Sequence, residues 1–407
     1  MGTEFLKIKD CEQAQGIIQQ LFDKYCVPCN EEISCGDAYG RVLFNDVYSR
    51  IDFPPFDKAL KDGFAILSED SYGASEESPK TLEVVDFLEA GSTTDKVVEK
   101  GKCVEISTGA AMPEGSNAVV MVEYCEKVDD KVNLFTAATL SQDVAKKGSD
   151  IEKGNLILRK GDVLNPGKIG VLLSQGFDSI EVYKKPTVGI ISTGNEITLQ
   201  GNDLDYGKIY DVNGNMIKSD AVSCGCDAKF LGIVHDDYNQ VKQKILESLE
   251  DVDVLLCSGG TSAGLGDVIK HVIDEIGEVY IHGISVQPGK PTIVGVINDK
   301  IIIGLPGNPV SALMIFNAFI SQPLSQLAGI TKEFEKKKVQ GKLTQRIHSP
   351  VGRMQYQLVK VDGDNIYPIF KDSGAIFSLS TANGYVKVEK SIELIDEGEE
   401  VEVFLFN

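Results

Sequence analysis

The sequence predicts an α/β domain joined to smaller β modules in one multi-domain chain. Its 407 residues exceed a single domain of about 150 residues and suggest roughly two to four. From Thr187 onward, buried-type strands alternate with amphipathic helices, the pattern of a mainly parallel sheet with helices on both faces. On either side of that stretch the texture is short β segments punctuated by Gly, Pro and Asn.

The first element is a helix. Ala14, Ile17, Ile18, Leu21, Phe22 and Tyr25 form one apolar face at helical spacing, and Asp10 suits its N-cap. A second short helix is expected to end near Arg41, before a Pro-rich extended turn from Phe53 to Asp57. Residues 71–80 read as an exposed loop, and 81–140 as a small all-β module. Thr187 to Ser192 is a buried-type strand, followed by a helix around 213–224 and a strand over 228–234. Val241, Ile245, Leu246 and Leu249 share one face of the next helix. The strand from Val252 to Cys257 runs into Ser258, Gly259 and Gly260, and Val268, Ile269, Val272, Ile273 and Ile276 mark another helix. Strands are expected near 278–286, 292–297 and 300–305. Asn308 and Pro309 then suit the N-cap and N1 positions of a helix reaching about Leu327. The charged stretch 331–342 reads as a linker, and the remainder returns to β texture, ending in the strand from Val401 to Phe406.

Composition narrows the function. Apolar residues at 42% and charged residues at 25% are globular values that exclude a mainly disordered chain. A net charge of −21 repels polyanions, which argues against nucleic acid or an anionic membrane as the main partner. A small phosphorylated ligand remains compatible, because a nest of backbone N–H groups holds one locally. No apolar run approaches the ~20 residues of a membrane span, and the N-terminus has no signal-peptide core. The expected location is cytoplasmic. Nine scattered cysteines, an odd number, suit reduced thiols, and neither the Cys26/Cys29 nor the Cys224/Cys226 pair recurs at zinc-site spacing.

Ligands of open α/β sheets sit beyond the carboxyl ends of the strands. Five segments should meet there: Ser192 to Glu196, Tyr210 to Asn213, Ser258 to Gly264 with Asp267, Gln287 to Pro291, and Leu305 to Pro309. The Gly-rich loop after Ser258 suits an oxyanion, although such a loop is also an ordinary turn. Glu196, Asp211 and Asp267 would gather carboxylates that repel unless a proton or cation lies between them. With oxygen ligands that cation would be Mg²⁺. Each acid has the alternative role of helix N-cap or first-turn residue. Lys290, stiffened by Pro288 and Pro291, suits a phosphate or carboxylate, or is an exposed loop cation. Asp62 and Gly63 signal a turn.

Several segments in order resemble the molybdopterin molybdenumtransferase family, the bacterial MoeA and gephyrin E-domain group. They are PPFDKALKDGFA (54–65), STGAAMPEGSNAVVMVE (107–123), KKGSDIEKG (146–154), ISTGNE (191–196) and GKIYDVN (207–213). SGGTSAGLGD (258–267), QPGKPT (287–292), GLPGNPVSA (304–312), SPVGRMQY (349–356) and SGAIFSLSTANG (373–384) continue the series. The resemblance implies an elongated, L-shaped homodimer whose central domain is of the molybdopterin-binding type, with an inserted small β domain and a C-terminal β domain. The domains expected are 1–48 with 142–185, 49–141, 186–330 and 331–407. The implied reaction inserts molybdate into adenylylated molybdopterin, releasing AMP and molybdenum cofactor. A contact with the molybdopterin adenylyltransferase is also implied.

On this chain the resemblance implies catalytic acids at Asp62, Asp150, Glu196, Asp211 and Asp267. Glu196, Asp211 and Asp267 would be the metal ligands. Substrate contacts are implied at Thr108, Ser258, Gly259, Gly260, Ser262, Pro288, Lys290, Pro291, Arg353 and Ser373. Asp62 would reach the site from the β module, of the same chain or of the partner subunit. The chain departs from the family pattern at Ala59, Leu60 and Lys61 before Asp62, and at Gln287 and Gly283, where members carry lysines. Lys61 would thus stand in for a lost cation, or the site would be weakened or tuned to tungstate. A non-catalytic dimeric scaffold binding protein partners is the alternative function.

Overall fold

The computed structural model describes residues 8–259, 268–330 and 338–406. Helix α1 (Cys11–Tyr25) starts where the Asp10 carboxylate accepts the Glu12 N–H at 3.1 Å. Its buried stripe of Ala14, Ile18, Leu21 and Phe22 packs onto the α/β domain. The expected second helix is only a 3-10 turn, Cys35–Asp37. Its flank Asn30–Ser34 is instead held in antiparallel pairing with Ser179–Tyr183, and that segment has no helical run of apolar residues.

The α/β domain holds a six-stranded sheet. Its strands are β1 (Thr187–Thr193), β2 (Asp227–Val234), β3 (Val254–Ser258), β4 (Glu278–His282), β5 (Ile293–Ile297) and β6 (Lys300–Leu305). The spatial order is β2-β1-β3-β6-β5-β4. The first four are mutually parallel, and β5 runs antiparallel to both β6 and β4. Two reversals leave β4 pointing the same way as β6, so five carboxyl ends share one edge. Alternation sorts the side chains. Val188, Ile190, Val254 and Leu256 face α1, α2 (Asn213–Ser223) and the helix from Pro309. Ile191, Leu255 and Ile302 face α3 (Tyr238–Leu249) and α4 (Val268–Ile276). The last helix, α5 (Pro309–Ile315), continues through a π turn at Phe316–Ile320 into Ser321–Leu327.

Residues 63–134 build a second six-stranded sheet, with Ala65, Val104 and Val119 in one core and Phe64, Ile66 and Val120 in another. In the C-terminal region, Met354–Asp362 pairs with both Asn365–Pro368 and Gly384–Val388. Together with Lys338–Leu343 and Glu400–Leu405 they close a barrel filled by Leu343, Val359, Ile366, Val386 and Val403. The linker expected over 331–342 therefore already contains a barrel strand from Lys338. The strand expected over 278–286 stops at His282, before Gly283 at φ 101°. Val286–Gln287 leaves the α/β sheet and pairs with Met354–Gln355 of the barrel. This crossing carries the turn that follows to the strand-end edge.

Candidate active site

The edge is assembled by hydrogen bonds between loops. Asn213, 7% exposed at the start of α2, donates both amide hydrogens: one to Ser258 Oγ at 2.7 Å, the other to the Gly307 carbonyl at 2.7 Å. It thus ties the end of β3 to the end of β6. Gly259 lies between β1 and β6. Its N–H reaches the Leu305 carbonyl at 3.2 Å, and a Cβ there would stand 2.2 Å from the Thr193 carbonyl oxygen. With φ at 94° the position is confined to glycine on both counts.

Glu196 and Asp211 are set by a short ribbon in which Ile197–Thr198 pairs with Ile209–Tyr210. Glu196 is exposed at one end, and its carbonyl accepts the Ile209 N–H at 2.8 Å. Asp211 at the other end is 3% exposed, not in an open turn. Its carboxylate accepts the Gly214 N–H at 3.2 and 3.4 Å, a helix-capping bond. Burial pushes the Asp211 carboxyl up, against the Gly214 N–H that holds it down.

A further acid emerges at the end of β2. Burial, and then the neighbouring Glu196 charge, push the Asp236 carboxyl up. The Asp236 N–H donates to Asn195 Oδ1 at 3.2 Å. The strand-end rule applies to β2 as well as to its neighbours, and the residues after Val234 are His235, Asp236 and Asp237. That signal was available in the sequence. Asp237 is spoken for, since it caps α3 by accepting the Gln240 N–H.

The other side of the edge is formed where domains meet. The partly buried Pro288, Lys290 and Pro291 follow the crossing strand, and Gly289 packs so tightly on α5 that a Cβ would meet Ile315 at 2.4 Å. Exposed Arg353 immediately precedes Met354, whose N–H donates to the Ser285 carbonyl at 3.3 Å, so Arg353 flanks the same turn. Asn308 holds the N-cap position of α5 but turns its amide to Ser373 Oγ at 2.9 Å. Ser373 in turn accepts the Val310 N–H through its carbonyl at 3.2 Å, which docks it on the helix start.

Asp62 and Thr108 meet each other on the β module. The Thr108 N–H and hydroxyl reach Asp62 Oδ1 at 2.6 and 2.8 Å, and these bonds hold the exposed carboxyl below its usual range. Asp150, outside the module, is also exposed, its N–H on the Phe53 carbonyl at 3.1 Å. The hydrogen bonds of the described residues link neither Asp62 nor Asp150 to the α/β edge. Gly260, Ser262 and Asp267 lie outside the described residues. Among the described residues no group of three His, Cys, Asp or Glu side chains is placed to hold a metal. Glu196 and Asp236 are neighbouring acids, since the Glu196 charge helps push the Asp236 carboxyl up.

The chain is similar to known proteins over most of its length. Residues 9–176 match the family described as "MoeA N-terminal region (domain I and II)". Residues 189–326 match "Probable molybdopterin binding domain", and 340–406 "MoeA C-terminal region (domain IV)". A molybdopterin molybdenumtransferase of Staphylococcus aureus is 33% identical over 298 residues, covering 73% of this chain and 71% of its own. That of Staphylococcus epidermidis is 29% identical over 394 residues, covering 95% and 94%. The crystal structure of a molybdopterin biosynthesis MoeA protein from Pyrococcus horikosii superposes with a TM-score of 0.88 at 39% identity, covering 98% of this chain and 100% of that one.

Proposed function

The chain belongs to the MoeA family of molybdopterin molybdenumtransferases and is a transferase of molybdenum cofactor biosynthesis; from this premise we propose that it inserts molybdate into adenylylated molybdopterin and releases AMP. The observation that carries the reading is the edge itself. One side presents the Glu196–Asp236 carboxylates, and the other presents Lys290, Arg353 and Ser373. The substrate has a phosphoanhydride-like linkage and the second reactant is an oxyanion, so the reaction needs both anion binding and charge neutralisation. Lys290 and Arg353 supply fixed positive charge for the oxyanions. Ser258 and Gly259 supply a hydroxyl and close backbone approach, with Gly260 and Ser262 completing that loop in the proposal. Mg²⁺ held by Glu196 and Asp236 would neutralise phosphate charge. Asp211 sets the start of α2, and Asp267 joins the proposed acidic set.

In this reading Asp62 acts from the β module and Asp150 from the 142–185 segment, and a homodimer brings Asp62 to the edge of the other chain. The domain division at 48, 141, 185 and 330, a cytoplasmic setting and a hand-over contact with the adenylyltransferase belong to the same proposal. No helix among the described residues is long and apolar enough to cross a membrane.

The test is AMP release from adenylylated molybdopterin by the purified chain, with molybdate, with tungstate and with neither. Release that depends on molybdate supports the reading. Release with tungstate alone would assign the other metal, and none with either oxyanion would favour the scaffold.

A further inference from the structure

Asn213 holds an expensive position. Its side-chain nitrogen satisfies two acceptors, Ser258 Oγ and the Gly307 carbonyl, each at 2.7 Å. The Gly307 carbonyl can only accept, so it fixes which end of the amide faces inward. Asn213 Oδ1 is then buried with no hydrogen-bond partner. An orphaned buried carbonyl forfeits the hydrogen bonds it made in water and is destabilising. A residue selected for packing alone would not keep that cost; one that must donate twice, in one direction, has to accept it.

The two acceptors lie on the ends of β3 and β6, neighbouring strands whose loops form the proposed substrate edge. Ser258 is 3% exposed, and because its oxygen accepts from Asn213, its single hydrogen is left to donate. Among the described residues no acceptor takes that hydrogen. Gly259, the next residue, leaves no room for a side chain against the Thr193 carbonyl.

We propose that Asn213 is a positioning residue that fixes the spacing of the β3 and β6 ends and directs the Ser258 hydroxyl to a phosphate oxygen of the substrate. The proposal rests on the molybdenumtransferase reading for its substrate, and on the hydrogen bonds alone for its geometry. Asn213 acts through Ser258, so removing either residue removes the same function.

The experiment is a double-mutant cycle on the full-length chain with Asn213→Ala, Ser258→Ala and the pair, read as kcat and KM for AMP release. Each single variant should lower kcat/KM by about 10- to 100-fold, and the pair should fall no more than about threefold below the weaker single. Asn213→Asp, near-isosteric but lacking the donor, replaces Asn213→Ala in the cycle if the latter fails to fold. Hydrogen–deuterium exchange provides the second readout: Asn213→Ala should speed exchange of amides in both 258–259 and 305–310. Wild-type kinetics, or losses that multiply in the pair, would overturn the proposal. So would exchange unchanged at either strand end, a result that stands even if the wild-type chain releases no AMP. An inactive wild type with faster exchange at both ends would defeat the functional reading while upholding the staple.

Discussion

Asp62 and Asp211 carry the same charge in opposite settings, and substitutions should separate them. Asp62 is exposed and kept ionised by the Thr108 N–H and hydroxyl, so Asp62→Asn should leave the melting temperature unchanged while cutting AMP release by about 10²-fold. Wild-type turnover would remove Asp62 from the site. Asp211 is buried with its carboxyl pushed up, so the folded chain binds that proton more tightly than the unfolded one does. Its contribution to stability is full below the ordinary aspartate range and is lost as pH rises through the raised value. Asp211→Asn caps as well and carries no charge, so it should melt at or above wild type at pH 7. The difference should vanish by about pH 3, below the ordinary aspartate value. Asp211→Ala should lose about 1 kcal/mol of capping at either pH. A wild type that outlasts Asp211→Asn at pH 7 would contradict the burial argument. Residue types and strand-end positions were enough to find Glu196 and Ser258 in the sequence. They were not enough to show that Asp211 turns inward to Gly214, because capping and ligation draw on the same residue types. Asp236 was missed because the rule that found Glu196 was not extended to the neighbouring strand.

At the scale of elements, two glycines of the same edge make contrasting predictions. Gly259→Ala would place a Cβ 2.2 Å from a backbone oxygen at φ 94°. It should cost roughly 1–3 kcal/mol and disable the loop. At Gly307 the nearest atom to an added Cβ is Gly259 Cα at 3.8 Å, an ordinary contact, so Gly307→Ala should melt near wild type. Thermal denaturation of the two variants checks this, and equal melting temperatures would contradict it. The helices and buried strands of the α/β domain were legible because alternation and helical spacing are local signals. The crossing of Val286–Gln287 into the C-terminal barrel was not, since that pairing joins residues far apart in sequence and depends on the partner strand. The 3-10 turn at Cys35–Asp37 was mistaken for a helix because a few residues carry too little periodicity to tell one from the other.

For the whole molecule, Asp62 shares no hydrogen bond with the α/β edge among the described residues, which makes the proposed dimer central. Sedimentation at micromolar concentration should give twice the chain mass. Mixing inactive Asp62→Asn with inactive Glu196→Gln should restore activity if one site draws the two acids from different chains. A monomer, or a mixture that stays inactive, would sink that arrangement. Net charge gives Lys61 its interest. At −21 the chain repels the anionic substrates of the proposed reaction, and Gln287 stands where the family pattern carries a cation. Lys61 lies exposed in the bend before Asp62. Lys61→Met should raise the half-saturating molybdate concentration several-fold, less so at high salt, and Gln287→Lys should recover much of the loss. An unmoved value would make Lys61 an ordinary surface lysine. Its place in the sequence was legible, but its relation to the edge was not, because in the proposed dimer that relation depends on how two chains assemble. The central claim is that molybdenum ends in the pterin dithiolene as AMP leaves. It is tested most directly by measuring pterin-bound molybdenum and free AMP in the same reaction. Equal amounts, rising together with wild type and together absent with Glu196→Gln, are predicted; AMP released without bound molybdenum would contradict the account.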